Sequence, residues 1–155
     1  MPPNQSNIQL RTASHADLPE IVAMLADDPL GSQRERDADL TAYRAAFAAI
    51  EQDSNNHLIV ASTNDQVVGV LQVTLIPNLT YQGAWRAQIE GVRVHPNARN
   101  KGIGKRLLAA AVDLARERKC GLVQLTTDKA RAEALKFYQD FGFIASHQGM
   151  KLHLQ

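Results

Sequence analysis

The chain has 155 residues, 45% of them apolar and 21% charged, with a formal net charge of +1; this is ordinary globular composition, enough for one domain over residues 1–155. The near-neutral balance supplies no electrostatic reason to expect nucleic acid or a membrane surface as partner. A single cysteine, Cys120, excludes an internal disulfide and a Cys-clustered zinc site, so no metal is expected.

The opening MPPNQSNIQLR has no apolar core of signal-peptide length, and no later segment is apolar for long enough to span a bilayer. The expected compartment is the cytoplasm. Ile8 to Ala13 alternates as a strand. Asp17, with Pro19 in the first turn and Glu20 three residues on, reads as a helix start, and Ile21, Val22 and Leu25 form its apolar stripe. DDPLGSQRERDAD reads as loop. Leu40, Tyr43, Phe47 and Ile50 recur at spacings of three and four and give a second amphipathic helix.

HLIVAST and QVVGVLQVTLI, joined at Asn64-Asp65, predict a hairpin. PNLTYQGAWR is loop and AQIEGVRV a further strand. Ile103 to Lys119 is a helix with Leu107, Leu108, Ala111, Val112 and Ala115 on one face and Gly121 at its end. LVQLTT is a strand, RAEALKFYQDF a helix stopped at Gly142, and FIASH and MKLHL are two closing strands. The order β-α-α-β-β-β-α-β-α-β-β describes a mixed sheet with packed helices and names no function by itself.

Chemistry first shows in VRVHPNARNKGIGKRLLAAAV, Val92 to Val112. A strand, a glycine-containing turn and a helix make an anion cradle. The first N–H groups of a helix lack partners inside it, and the macrodipole places partial positive charge there. Gly102 and Gly104 allow close approach, and Arg99, Lys101 and Lys105 add charge. The Walker spacing fails, since Arg106 follows Gly104-Lys105; the dinucleotide spacing fails at Leu107. What stands is R-x-x-G-x-G, Arg99 to Gly104, a pattern of modest specificity alone.

Its neighbours sharpen it. IEGVRVHPNARNKGIGKRLL, followed by a strand and then AEALKFYQDFGF, resembles the GNAT acetyltransferase superfamily. R-x-x-G-x-G after V-x-V-x-P is similar to its acyl-CoA pyrophosphate loop, and A-x-x-F-Y-x-x-x-G-F, Ala134 to Phe143, to its second signature. The resemblance covers essentially the whole chain. It implies an α/β (α+β) GNAT fold: a mixed central sheet splayed between strands 4 and 5, with helices on both faces. It also implies acetyl-CoA as co-substrate.

Residue by residue, the resemblance implies that backbone N–H groups across Arg99, Asn100, Lys101, Gly102, Ile103, Gly104 and Lys105 hold the pyrophosphate. Backbone at Val92 and Val94 pairs with the pantetheine arm at a bulge, and the broken alternation around Gly91 fits one. Tyr138 takes the general-acid position beside the leaving thiolate. One departure stands out: Arg131 occupies a position where many members carry Asn, and the nearest short polar side chain is Asp128.

Acyl transfer to an amine of pKa near 10.4 requires its deprotonation, which costs about 4–5 kcal/mol at pH 7. A base beside the sheet opening meets that need, and Glu90 is the first candidate, ahead of His95. The Val92 N–H, exposed at a bulge, would polarise the carbonyl. The acceptor, a small-molecule amine by expectation, stays open against a protein N-terminus or lysine. So does a non-catalytic acyl-CoA-binding module. Tyr81 and Trp85 offer an acceptor lid, a plain surface pair, or a subunit contact compatible with a homodimer.

Overall fold

The computed structural model describes residues 7–36 and 38–155. The first six residues of the N-terminal stretch, and Asp37 in the loop after the first helix, lie outside the described residues. The chain forms two compact units, Met1–Gln124 and Leu125–Gln155.

The first unit begins with strand β1 (Gln9–Thr12) and a 3-10 turn, His15–Asp17, leading into helix α1 (Leu18–Ala26). Helix α1 starts where expected, with Asp17 at its cap position and Pro19 in its first turn, but the Asp17 side chain makes no capping bond to α1. Ser14 is the cap residue of the preceding 3-10 turn, and its N–H donates to the Asp17 carboxylate at 2.7 Å. Asp17 instead closes the first turn and takes a two-pronged bond from Arg11, at 2.7 and 2.9 Å. Glu20 does not cap either; its carboxylate accepts the Val67 N–H at 2.9 Å and ties α1 to the sheet. The loop expected over 27–39 holds a short helix α2 (Gly31–Arg34), begun by Gly31 N–H donating to the Asp28 carboxylate. Helix α3 follows (Thr41–Gln52), with Phe47 alone fully buried on its stripe.

Strands β2 (Asn56–Thr63) and β3 (Gln66–Ile76) form the predicted hairpin, with Asn64 and Asp65 both at positive φ, as a tight two-residue turn requires. A left-handed turn, α4 (Thr80–Gly83), precedes β4 (Arg86–Val94). Helix α5 (Ile103–Glu117) and strand β5 (Leu122–Leu125) follow. Lys119, at φ +60, takes the left-handed position after α5 that the sequence assigned to Gly121.

The sheet order is β1-β2-β3-β4-β5, antiparallel through β4, with β5 parallel to β4. Alternation along β3, reset by one extra residue at Val68 opposite the Ala61–Ser62 step, sends its residues to helices on opposite faces. Val67 and Val70 join Ile21, Met24 and Phe47 in the core under α1 and α3. Gly69 faces α5 so closely that a Cβ there would lie 2.9 Å from Ile103 and 3.0 Å from Leu107. Helices therefore cover both faces. Leu107, Leu108 and Ala111 of α5 are fully buried, each such Leu worth about 1.5–3 kcal/mol of transfer free energy.

The second unit holds helix α6 (Ala132–Phe141), ended by Gly142 at φ +128. FIASH and MKLHL, expected as strands, carry no strand structure, and Ile144, Met150, Leu152 and Leu154 are exposed. Alternating apolar residues make a strand only when a ladder partner takes up their backbone groups.

Candidate functional site

The first unit brings Glu90, Val92, Val94 and the basic loop onto one continuous segment. In the β3–β4 register Gln72 pairs with Glu90, but Val70 pairs with Arg93, so β4 carries one extra residue opposite Leu71. Gly91 sits at φ +64 in that bulge, the glycine form in which the first bulged residue is left-handed. A Cβ on Gly91 would meet only Leu25, at 3.8 Å, so the conformation and not crowding calls for glycine. The break in alternation was a sound sequence signal for this feature.

The edge of β4 toward β5 is also short of a neighbour. The Gly121 N–H donates to the Trp85 carbonyl at 2.8 Å, which sets β5 level with the start of β4. A parallel strand of four residues starting there runs out near Glu90. Val92 and Val94 thus lie past the end of β5. Glu90 is exposed, with no hydrogen-bond or ion-pair partner among the described residues. Arg93 is drawn the other way: its guanidinium lies 3.4 Å from Asp28 and donates to the Val92 carbonyl at 2.9 Å.

The loop after β4 starts with a 3-10 turn, Pro96–Ala98, in which His95 Nδ1 accepts the Asn97 N–H at 3.1 Å. That bond gives His95 a local capping role. Asn100 and Gly102 both take positive φ, +63 and +76, and turn the chain into α5. Gly102 is the cap residue and no side chain caps the helix. The N–H groups of Ile103, Gly104 and Lys105 accordingly have no partner within α5. A Cβ on Gly102 would meet nothing within 4 Å, so the space in front of the helix end is open. Arg99 and Lys101 are held loosely along the loop, each reaching a backbone carbonyl at 3.4 Å, those of Val94 and Asn97. An uncapped, open, positively flanked helix end fits a pyrophosphate.

A groove of about 300 Å³ lies elsewhere, lined by Glu20, Asp27, Val67 and His95 among others; Glu90 is not part of its wall. Among the described residues no cluster of His, Cys, Asp or Glu could hold a metal ion, and no helix is long and apolar enough to cross a membrane. Cys120 is half-buried, and burial pushes its thiol pKa up, away from nucleophilic use.

Beyond the segment lies a set of residues that sequence reasoning missed. Asn56, Gln72, Thr74, Arg86, Gln88 and Gln124 stand half-buried on the same sheet face as Glu90. They are scattered over four strands, and only the observed register aligns them. Period-two polarity in β3 and β4 was the available signal.

In the second unit, Tyr138 stands on α6 among aromatics, with ring centroids 5.3 Å from Phe137 and 6.0 Å from Phe143. Arg131 is the cap residue of α6. Asp128 accepts the Ala130 N–H at 2.9 Å and its carbonyl accepts the Arg131 N–H at 2.9 Å, so it shapes the turn entering the helix.

Comparison with known proteins adds to this geometry. A crystal structure of a transcriptional regulator from Bacillus halodurans C-125 superposes with a TM-score of 0.92 at 52% identity, over 95% of this chain and 99% of that one. The aminoalkylphosphonate N-acetyltransferase of Salmonella typhimurium is 31% identical over 139 residues, 90% of this chain and 86% of that protein. A glucosamine 6-phosphate N-acetyltransferase of Trypanosoma brucei brucei is 32% identical over 89 residues, 57% of this chain and 58% of that protein. The sequence model of the Acetyltransferase (GNAT) family matches residues 18–143, from α1 to just past α6. With its bulged fourth strand, its open helix end and this match, the chain belongs to the GNAT acetyltransferase family.

Proposed function

We propose that the chain is a single-domain, cytoplasmic N-acetyltransferase that transfers acetyl from acetyl-CoA directly to a small primary amine in a ternary complex. The observation that carries this reading is the segment Glu90–Lys105. A lone exposed carboxylate precedes a bulge at Gly91, and an uncapped helix end follows about ten residues later. The family match over residues 18–143 extends across both compact units and supports one working domain.

Acetyl-CoA, when bound, supplies the thioester. The N–H groups from Arg99 to Lys105 would hold its pyrophosphate, and Gly102 leaves room for close approach. Backbone at Val92 and Val94, past the end of β5, would hold the pantetheine arm, with the Val92 N–H oriented to polarise the acyl oxygen. Glu90 would take a proton from the ammonium acceptor, directly or through water, and Tyr138 would return one to the thiolate. The Salmonella and Trypanosoma relatives act on an aminoalkylphosphonate and on glucosamine 6-phosphate, both small amines carrying a phosphorus oxyanion, which favours a small-molecule acceptor.

Thermal melting with coenzyme A tests the cofactor assignment; a flat melting temperature at millimolar coenzyme A would remove the proposal. Thiol release on an amine panel then tests transfer. Tyr138→Phe should lower kcat about 10- to 100-fold while coenzyme A affinity holds, as loss of a general acid predicts; unchanged kcat rejects the role.

A second reading, a coenzyme-A-binding regulatory module, draws on the Bacillus halodurans structure described as a transcriptional regulator. Coenzyme A binding without amine-dependent thiol release would favour it.

A further inference from the structure

The sheet face carrying Glu90 is chemically unlike its reverse. On the reverse, Val73, Leu75, Ala87 and Ile89 are buried. On the Glu90 side, the register aligns Asn56 with Thr74, Gln72 with Glu90 and Thr74 with Gln88, all of them polar. These side chains are linked, and the links leave defined groups over. Gln72 Nε2 donates to Asn56 Oδ1 at 2.9 Å, which leaves the Gln72 oxygen to accept. Gln124 Nε2 donates to Gln88 Oε1 at 2.7 Å, which leaves the Gln88 amide nitrogen to donate. Arg86 donates to Gln124 Oε1 at 3.1 Å and to Thr80 Oγ1 at 2.8 Å, and stacks 5.6 Å above the Tyr81 ring. Its Nε is buried without a hydrogen-bond partner among the described residues.

A strip of half-buried amides is costly unless something uses it, since each unpaired polar group removed from water costs about 1–3 kcal/mol. The two ends of this strip differ in sign. Glu90 stands at one end and Arg86 at the other, four residues away on the same strand, or about 13 Å at the rise of a β-strand. Between them lie the neutral Gln72, Thr74 and Gln88, bordered by the apolar Leu58 opposite Gln72 and Ile76 opposite Arg86.

Resting on the acetyltransferase reading, we propose that this strip is the acceptor platform. It selects a primary amine on a hydroxyl-bearing skeleton with an anionic group at its far end. The amine lies at Glu90, the hydroxyls lie over Gln72 and Gln88, and the anion pairs with Arg86. Arg86 is then a specificity-determining residue remote from the reacting atoms. Braced by Gln124 and Thr80, its planar fork meets a phosphate or carboxylate without further loss of side-chain freedom.

The test uses the full chain, acetyl-CoA and three amines: glucosamine 6-phosphate, glucosamine and cyclohexylamine. The expected order of kcat/KM follows that sequence, with each step at least about tenfold, as loss of a charge-assisted or buried hydrogen-bond partner gives. Arg86→Met should raise KM for glucosamine 6-phosphate about 10- to 100-fold with kcat little changed, collapsing its advantage over glucosamine. Gln88→Leu should collapse the step from glucosamine to cyclohexylamine. Equal kcat/KM for the three amines with the unaltered chain overturns the proposal, whatever the variants do. So does an Arg86→Met chain that keeps the phosphate advantage. If no amine reacts, calorimetric titration of glucosamine 6-phosphate into the coenzyme-A-loaded chain decides: failure to bind overturns the platform and leaves the cofactor assignment standing. Absence of any coenzyme A melting shift removes the underlying reading as well.

Discussion

Asp17 shows how much one buried carboxylate can carry. The hydrogen bonds from Arg11, ahead of that from the Ser14 backbone, hold its pKa down at about 2 against an ordinary 3.8. A lowered carboxylate pKa means stability present above pH 4, shrinking as pH falls toward 2 and gone below it. The shift corresponds to about 2 kcal/mol, reduced to about 1–2 kcal/mol because Arg11 is more than a third exposed. Asp17→Asn should therefore cost about 1–2 kcal/mol in urea unfolding at pH 7, and the deficit should narrow only below pH 4. A deficit that does not change between pH 7 and pH 3 would show the ion pair to be irrelevant. Two glycines make a further contrast. Gly91→Ala introduces left-handed strain alone, about 1 kcal/mol. Gly31→Ala drives a Cβ into the Leu25 carbonyl and should cost at least twice as much by the same measurement. The first was legible in the sequence, because a bulge breaks alternation. The second was not, because crowding at the start of a four-residue helix leaves no periodic trace.

Among the elements, α5 was the most legible. Its apolar spacing fixed its face, and the glycines before it marked its start. Its end was misplaced by two residues because Lys119, not Gly121, adopts the left-handed position; sequence favours glycine there, and only the packing of the last turn decides. The open end of α5 makes a prediction at this scale. Gly102→Val adds strain of about 1–2 kcal/mol and fills space that the protein leaves empty. The variant should stay folded yet lose the coenzyme A melting shift. A full shift in a folded Gly102→Val chain would move the phosphate site elsewhere. The sheet was legible as strands but not as a site. Gln72, Gln88 and Gln124 are unremarkable in sequence and become neighbours only through a register that one bulge resets.

At the scale of the molecule, burial is uneven. Among the described residues, every fully buried one belongs to Met1–Gln124, and none belongs to Leu125–Gln155. Local opening free energies should follow that division. In hydrogen exchange, the amides of α5 should be the slowest in the chain, and those of α6 faster by about tenfold or more. Equal protection in the two helices would contradict it. The same division explains where the sequence reading failed. In the first unit, periodicity and pairing agree, and every predicted strand has a neighbour. The two closing strands were read from alternation alone, and alternation is silent about where a partner will come from.

Gly69 is none of the residues proposed for chemistry, yet it lies beneath the start of α5, where a Cβ on it would come within 2.9 Å of the Ile103 side chain and 3.0 Å of the Leu107 side chain. The height of the proposed phosphate cradle above the sheet is thus set by a missing side chain on a strand two removed from β5. A screen for cofactor-binding residues would score Gly69→Ala as a ligand contact. It would be reporting the thickness of the floor.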